Sequence, residues 1–131
     1  MLFSYDLLVP RGTSAIDPVV SGVKLTHGLL TEIRMIFPPG PARLVSCAVR
    51  DRLHQIMPAN PEESIHLDNA TVVSRLEYAL TDTPYELLIY GWGPDTSYDH
   101  TITLQFEVQP LEEDNWKQFL EYLFSSQAVT V

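Results

Sequence analysis

Residues 100–109 alternate almost without a fault: Ile102, Leu104, Phe106 and Val108 fall on one side, and Thr101, Thr103, Gln105, Glu107 and Gln109 on the other. Successive side chains of a strand point to opposite faces, so this run predicts a β-strand with one dry and one wet face. Residues 2–9 (LFSYDLLV) predict an opening strand, stopped by Pro10-Arg11-Gly12. Val23, Leu25 and His27 alternate with Lys24 and Thr26 in a second strand that Gly28 interrupts. A third follows over 30–37, with Thr31, Ile33, Met35 and Phe37 on one face and Glu32 and Arg34 on the other. Pro38-Pro39-Gly40-Pro41 ends it, because proline donates nothing to a ladder.

Residues 43–51 predict a fourth strand and 54–57 a short fifth, closed by Pro58-Ala59-Asn60-Pro61. The polar stretch 62–69 reads as a loop with a short strand around Ile65 and Leu67, and Val72, Ser74, Leu76, Tyr78 and Leu80 share a face of the strand after it. Residues 85–92 (YELLIYGW) are apolar on both faces apart from Glu86. That is the pattern of a central strand covered on both sides, or of an outer face meeting another subunit. About eight strands, with turn signals roughly every ten residues, fit an all-β, antiparallel, jelly-roll-like sandwich better than an α/β fold. The expected core is Val23, Leu25, Ile33, Met35, Val45, Val49, Leu76, Tyr78, Ile89, Ile102, Leu104 and Phe106.

Two segments depart from this pattern. Residues 10–20 (PRGTSAIDPVV) have no period and two prolines, which predicts an arm or long loop either draped on its own sandwich or lent to a neighbour, with contact to a neighbouring subunit or another protein the expectation. Residues 112–124 change period: Trp116, Phe119, Leu120 and Leu123 fall at i, i+3, i+4 and i+7, the stripe of an amphipathic helix. Glu112, Glu113 and Asp114 would occupy its first turn, where negative charge meets the helix dipole favourably. A helix this short is not stable alone, so its stripe is expected to pack on the sandwich or on another copy. The chain is thus expected to comprise a sandwich domain over 1–110 and a C-terminal helix and tail over 111–131.

At 131 residues and 45% hydrophobic content the chain suits one core rather than two. Its net charge of −9, from 8 basic and 17 acidic side chains, argues against nucleic acid or an anionic membrane as partner. All of the excess lies after residue 75, where ten acids face Lys117 alone. Cys47 is the only cysteine, so no intramolecular disulfide forms, and its register with Val45 and Val49 predicts a buried thiol. The first residues lack the basic segment and cleavage site of a secretion signal, and no apolar run approaches the ~20 residues that span a bilayer. The protein is expected in the cytoplasm of the producing cell or in a virion.

Candidate chemistry is sparse. His27, His54, His66 and His100 form no HxH or HExxH pair, and His54, His66 and Asp68 are too scattered to predict a metal site; no cofactor is expected. Asp95, Ser97 and Asp99 have the alternate spacing of a calcium loop but lack its glycine and closing glutamate, so a turn bonding its own backbone is expected. Asp99 and His100 point to opposite faces and form no dyad. No nucleophile elbow or phosphate loop is present, and the chain is expected not to be an enzyme. Tyr85, Tyr90, Trp92 and Tyr98 cluster, and an exposed row of them would stack on sugar rings or dock a protein; the expectation is that Trp92 and some of the tyrosines are core.

Four phrases carry a resemblance: Val9-Pro10 after the opening strand, Phe37-Pro38-Pro39-Gly40, His54-Gln55 before Pro58-Ala59-Asn60-Pro61, and Tyr98-Asp99-His100-Thr101-Ile102. Together they resemble small β proteins of tailed bacteriophages and prophage-like regions, over residues 2 to about 110. The resemblance implies a virion-associated structural protein: a capsid decoration or auxiliary protein, or a small tail or connector component. It further implies self-association, as a trimer on a shell, and contact with a major capsid or other virion protein. Tyr90, Trp92, Trp116, Phe119, Leu120 and Leu123 are the expected assembly residues. A carbohydrate- or ligand-binding sandwich is the alternative.

Overall fold

The computed structural model describes residues 1–111 and, beyond them, Leu120 alone, a single residue that defines no element. The predicted helix over 112–124, with Trp116, Phe119 and Leu123, lies outside the described residues. Eight strands follow in order: β1 (Leu2–Val9), β2 (Val19–Lys24), β3 (Gly28–Phe37), β4 (Ser46–Asp51), β5 (His54–Met57), β6 (Ala70–Leu80), β7 (Glu86–Trp92) and β8 (His100–Gln109).

They form two four-stranded antiparallel sheets, of order β1-β8-β3-β6 and β2-β7-β4-β5. The pairs β1–β8, β2–β7, β3–β6 and β4–β5 are those of one long ribbon folded back at the β4–β5 turn. Successive rungs of that ribbon fall alternately into the two sheets. Rolling it adds the β3–β8 and β4–β7 ladders, and the result is the strand order of an eight-stranded jelly roll.

The dry faces of the two sheets meet in one core. Ile102, Leu104, Phe106 and Val108 of β8 are fully buried, opposite Val23, Val49, Leu87 and Ile89 of the second sheet. Tyr5 packs edge-on against Phe106, with ring centroids 6.4 Å apart. Gly91 faces inward on β7, where a Cβ would lie 2.7 Å from Val9 and 2.8 Å from Leu7. A larger residue there would push β1 off the second sheet. Tyr5 also donates its hydroxyl to the Lys24 carbonyl, joining the edge strands β1 and β2 of the two sheets.

The strands predicted over 2–9, 54–57 and 100–109 and the shared face of Val72, Ser74, Leu76, Tyr78 and Leu80 appear as predicted, and of the expected core only Leu25, Leu76 and Tyr78 are half-buried rather than buried, each packed against it. Other features differ, among them the start of β3, at Gly28 rather than residue 30. The second strand runs over Val19–Lys24 rather than 23–27, taking in the last two residues of the expected arm. In β3 a register shift between Leu30 and Glu32 turns Leu30 into the core, where alternation had placed Thr31. A bulge spends one residue without a partner, which a pattern of strict period two does not show. The fourth strand starts at Ser46, because Ala42 and Arg43 adopt left-handed backbone (φ 51° and 65°). The expected strand around Ile65 and Leu67 is a single bridge, Cys47 to Ile65.

Phe106→Ala is expected to destabilise the fold by ~3–5 kcal/mol through lost burial and a residual cavity. Urea denaturation measures it, and a loss below ~1 kcal/mol would contradict the inward register of β8.

Candidate functional site

Residues 10–18 lack regular structure, as expected, and are draped on their own sandwich, one of the two placements the sequence left open. Asp99 accepts the Arg11 amide at 2.9 Å, Thr96 Oγ1 accepts the Gly12 amide at 3.0 Å, and the Gly93 amide donates to the Thr13 carbonyl at 3.0 Å. Asp99 therefore bonds a segment distant in sequence rather than its own backbone, a correction to the expected turn. From Val19 onward the chain is held again, in the ladder with β7. Between these anchors residues 14–18 bridge the outer face of the second sheet, and Ile16 at their crest is 95% exposed.

Beneath the bridge lies a cleft of about 410 Å³, lined by Ala15, Ile16, Pro18, Arg50, Pro61, Glu62, Glu63, Tyr90 and Trp92. Tyr90 and Trp92 follow from the period of β7: Leu87, Ile89 and Gly91 point into the core, so Leu88, Tyr90 and Trp92 point out. The expectation that Trp92 is core is thereby corrected; it is half-buried on the outer face. Tyr85 packs against the core and edge-on to His27, and Tyr98 is exposed, so the four aromatics form no single row. Arg50 lies over the Tyr90 ring, 4.6 Å from its centroid, and donates Nε to Gln55 Oε1 at 3.2 Å.

Gln55, the one buried polar side chain among the described residues, organises this wall. Its amide nitrogen donates to the carbonyls of Pro58, Asn60 and Glu63 at 2.8–3.0 Å, which folds the proline-rich loop back and carries Glu62 and Glu63 to the cleft. The phrase His54-Gln55 before Pro58-Ala59-Asn60-Pro61 is thus a structural unit: an amide on the outer face of a short bulged strand, paired with Arg50, is buried by the loop after it and satisfies that loop's carbonyls. Arg50, Gln55, Glu62, Glu63 and Ile16 were not singled out from sequence. Nothing in the local pattern signals Gln55, because a bulge in the β4–β5 ladder sets it beside Arg50 on the outer face.

The other predicted groups do not converge. His54 stacks on Tyr78 beside the β4–β5 turn, and Tyr78 donates to Asp51. Burial, then the Asp51 carboxylate, push the Tyr78 hydroxyl up to about 12. Asp68 lies at the opposite end of the sandwich, where one carboxylate oxygen accepts the Gly40 and Ala42 amides, each at 2.9 Å. Those amides, Ala42's first, hold its carboxyl below the usual aspartate range, with His100 adding a smaller pull. His54 and Asp68 therefore share no site, and no group of metal-ligating side chains occurs among the described residues. Cys47 is fully buried, and desolvation pushes its thiol up to about 12, out of reach of nucleophilic work. No helix among the described residues is long and apolar enough to cross a membrane.

No protein-family model and no curated protein matches this chain. Among solved structures it is similar to a chain of the tomato aspermy virus crystal structure, at 12% identity and a TM-score of 0.45, over 86% of this chain and 79% of that one.

Gln55→Leu strips the loop of its donor while filling similar space, and is expected to destabilise the protein by roughly 1–3 kcal/mol in urea denaturation. Asp68 gives a pH signature. Its carboxyl is lowered in the folded state, so the clamp contributes fully above the ordinary aspartate value of about 4 and is lost as pH falls through the lowered one. The difference in urea midpoint between wild type and Asp68→Asn is therefore expected to shrink on acidification, and a constant difference would remove the clamp's role.

Proposed function

We propose that this chain is a non-enzymatic structural protein of a virion that acts through self-assembly, as a capsid decoration or auxiliary protein or a small tail or connector component. The observation that carries the reading is the unequal dressing of the two outer sheet faces. On the first sheet the outward residues are largely polar, among them Ser4, Asp6, Thr101, Thr103 and Gln105, with Glu32 paired to Arg34 at 3.0 Å and reaching toward Arg75; its exposed apolar residues, Leu2, Leu8 and Val73, are interspersed among them. On the second sheet Val20, Leu88, Tyr90 and Trp92 form an apolar band, with Arg50 lying over Tyr90 and with Lys24 and Glu86 at its end. A face of that kind beneath a braced arm suits burial against another protein.

Three further points support it. The jelly-roll strand order recurs in viral capsid domains, although it recurs in lectin domains and cupins as well. The short phrases of the sequence resemble small β proteins of tailed bacteriophages. The charge of −9 suits contact with protein better than with a genome. The partners under this reading are further copies of the chain and a major capsid or other virion protein, in the virion or in the cytoplasm of the producing cell.

The cleft favours a second reading, a carbohydrate- or ligand-binding module, because two aromatic faces stand beside a guanidinium and two carboxylates. Light scattering across a concentration series separates the two. Self-assembly predicts a mass that is a multiple of 14.8 kDa, and peptides of the chain in particles banded from its source cells. A strict monomer at high concentration, or exclusion from such particles, would overturn the virion reading.

A further inference from the structure

We propose that the arm-bearing face of the second sheet is a twofold self-association surface, in which Ile16 of each copy seats in the cleft of the other and Arg50 faces Glu62 and Glu63 across the axis. The inference rests on the self-assembly reading and names its surface.

Ile16 is the starting point. It is an apolar side chain in near-complete contact with water, at the crest of a bridge held at both ends by the bonds to Asp99, Thr96 and Gly93 and by the β2 ladder. A knob braced in this way loses little freedom when it is buried, which is the main saving available to an interface. Beside it is a mixed hole, with Tyr90, Trp92 and Pro61 as its apolar lining beside Arg50, Glu62 and Glu63, and space for a branched aliphatic side chain.

The charges point to a second copy as the occupant. Arg50 is fixed over Tyr90 and by Gln55, and it takes part in none of the three ion pairs among the described residues; nor do Glu62 and Glu63, which line the same cleft. Each copy thus offers one oriented cation and two carboxylates, a self-complementary set when two clefts face each other. Elsewhere a net charge of −9 makes copies repel, so a patch that carries its own cation is where they can approach. Symmetry follows from position. Ile16 forms part of the wall of its own cleft, so knob and hole occupy one patch, and a patch that binds itself does so about a twofold axis.

Sedimentation velocity on the full chain tests this. Ile16→Asp is expected to weaken dimerisation at least tenfold with an unchanged thermal midpoint. The control Leu53→Asp makes the same charge change at a residue 99% exposed on the β4–β5 turn, at the other end of the sandwich, and is expected to leave dimerisation as it was. Arg50→Glu and the double variant Glu62→Arg/Glu63→Arg are each expected to dimerise poorly alone and to form a mixed dimer when combined, because the mixture restores attraction at both contacts. Equal association of wild type and Ile16→Asp would overturn the proposal and leave self-assembly standing through another surface. A wild type that stays monomeric would overturn both. In a Trp116→Phe background, fluorescence of Trp92 that shifts with cello- or chito-oligosaccharides, without dimerisation, would assign the cleft to sugar instead.

Discussion

The dry face of β8 is the constraint on which the rest depends. The strand lies inside its sheet, with β1 on one side and β3 on the other, so its register sets theirs, and through β3 that of β6. A slip of one residue would turn Ile102, Leu104, Phe106 and Val108 outward and bring Thr103, Gln105 and Glu107 into the core. No local gain offsets an error of that size, and the pairing of Leu2 with Glu107 across nearly the whole chain is secured by it.

At the end of the sandwich that carries the arm, regular structure gives way to long connections, and one device recurs in them. Gln55 bonds three carbonyls of its loop, Asp68 takes two amides of the loop after β3, and Asp99 and Thr96 take two amides of the arm. Each is a polar side chain satisfying backbone groups that a sheet would otherwise have paired. The arm is thereby held in place over the second sheet, and the cleft exists because the bridge and the Gln55 loop stand at its rim. The features that give this face its shape thus come from side-chain bonding in loops, and those that give it its apolar floor come from the period of β7.

How far each was legible depends on the range of the interaction. The period of 100–109, 2–9 and 70–80 carried the strands and most of the core, because burial on one face of a strand writes itself locally into alternate residues. The position of Cys47 was legible for the same reason. Leu30 in place of Thr31 was not, since a bulge changes which residues face inward without changing composition. The left-handed backbone at Ala42 and Arg43 was equally hidden, since neither residue type signals it.

The site shows the limit more sharply. Tyr90 and Trp92 were identifiable as aromatics on a strand apolar on both faces, yet which of its residues point out depends on the sheet against which it packs. The sequence by itself determined the class of fold, the single core and the absence of a recognisable catalytic motif, because these follow from local period, length and spacing. Only the tertiary structure decided that Ile16, Arg50, Glu62, Glu63, Tyr90 and Trp92 share one cleft, and that His54 and Asp68 stand at opposite ends. Residues far apart in the chain meet through the rolling of the ribbon, and that closure is set by the sum of the sheet pairings rather than by any segment of sequence.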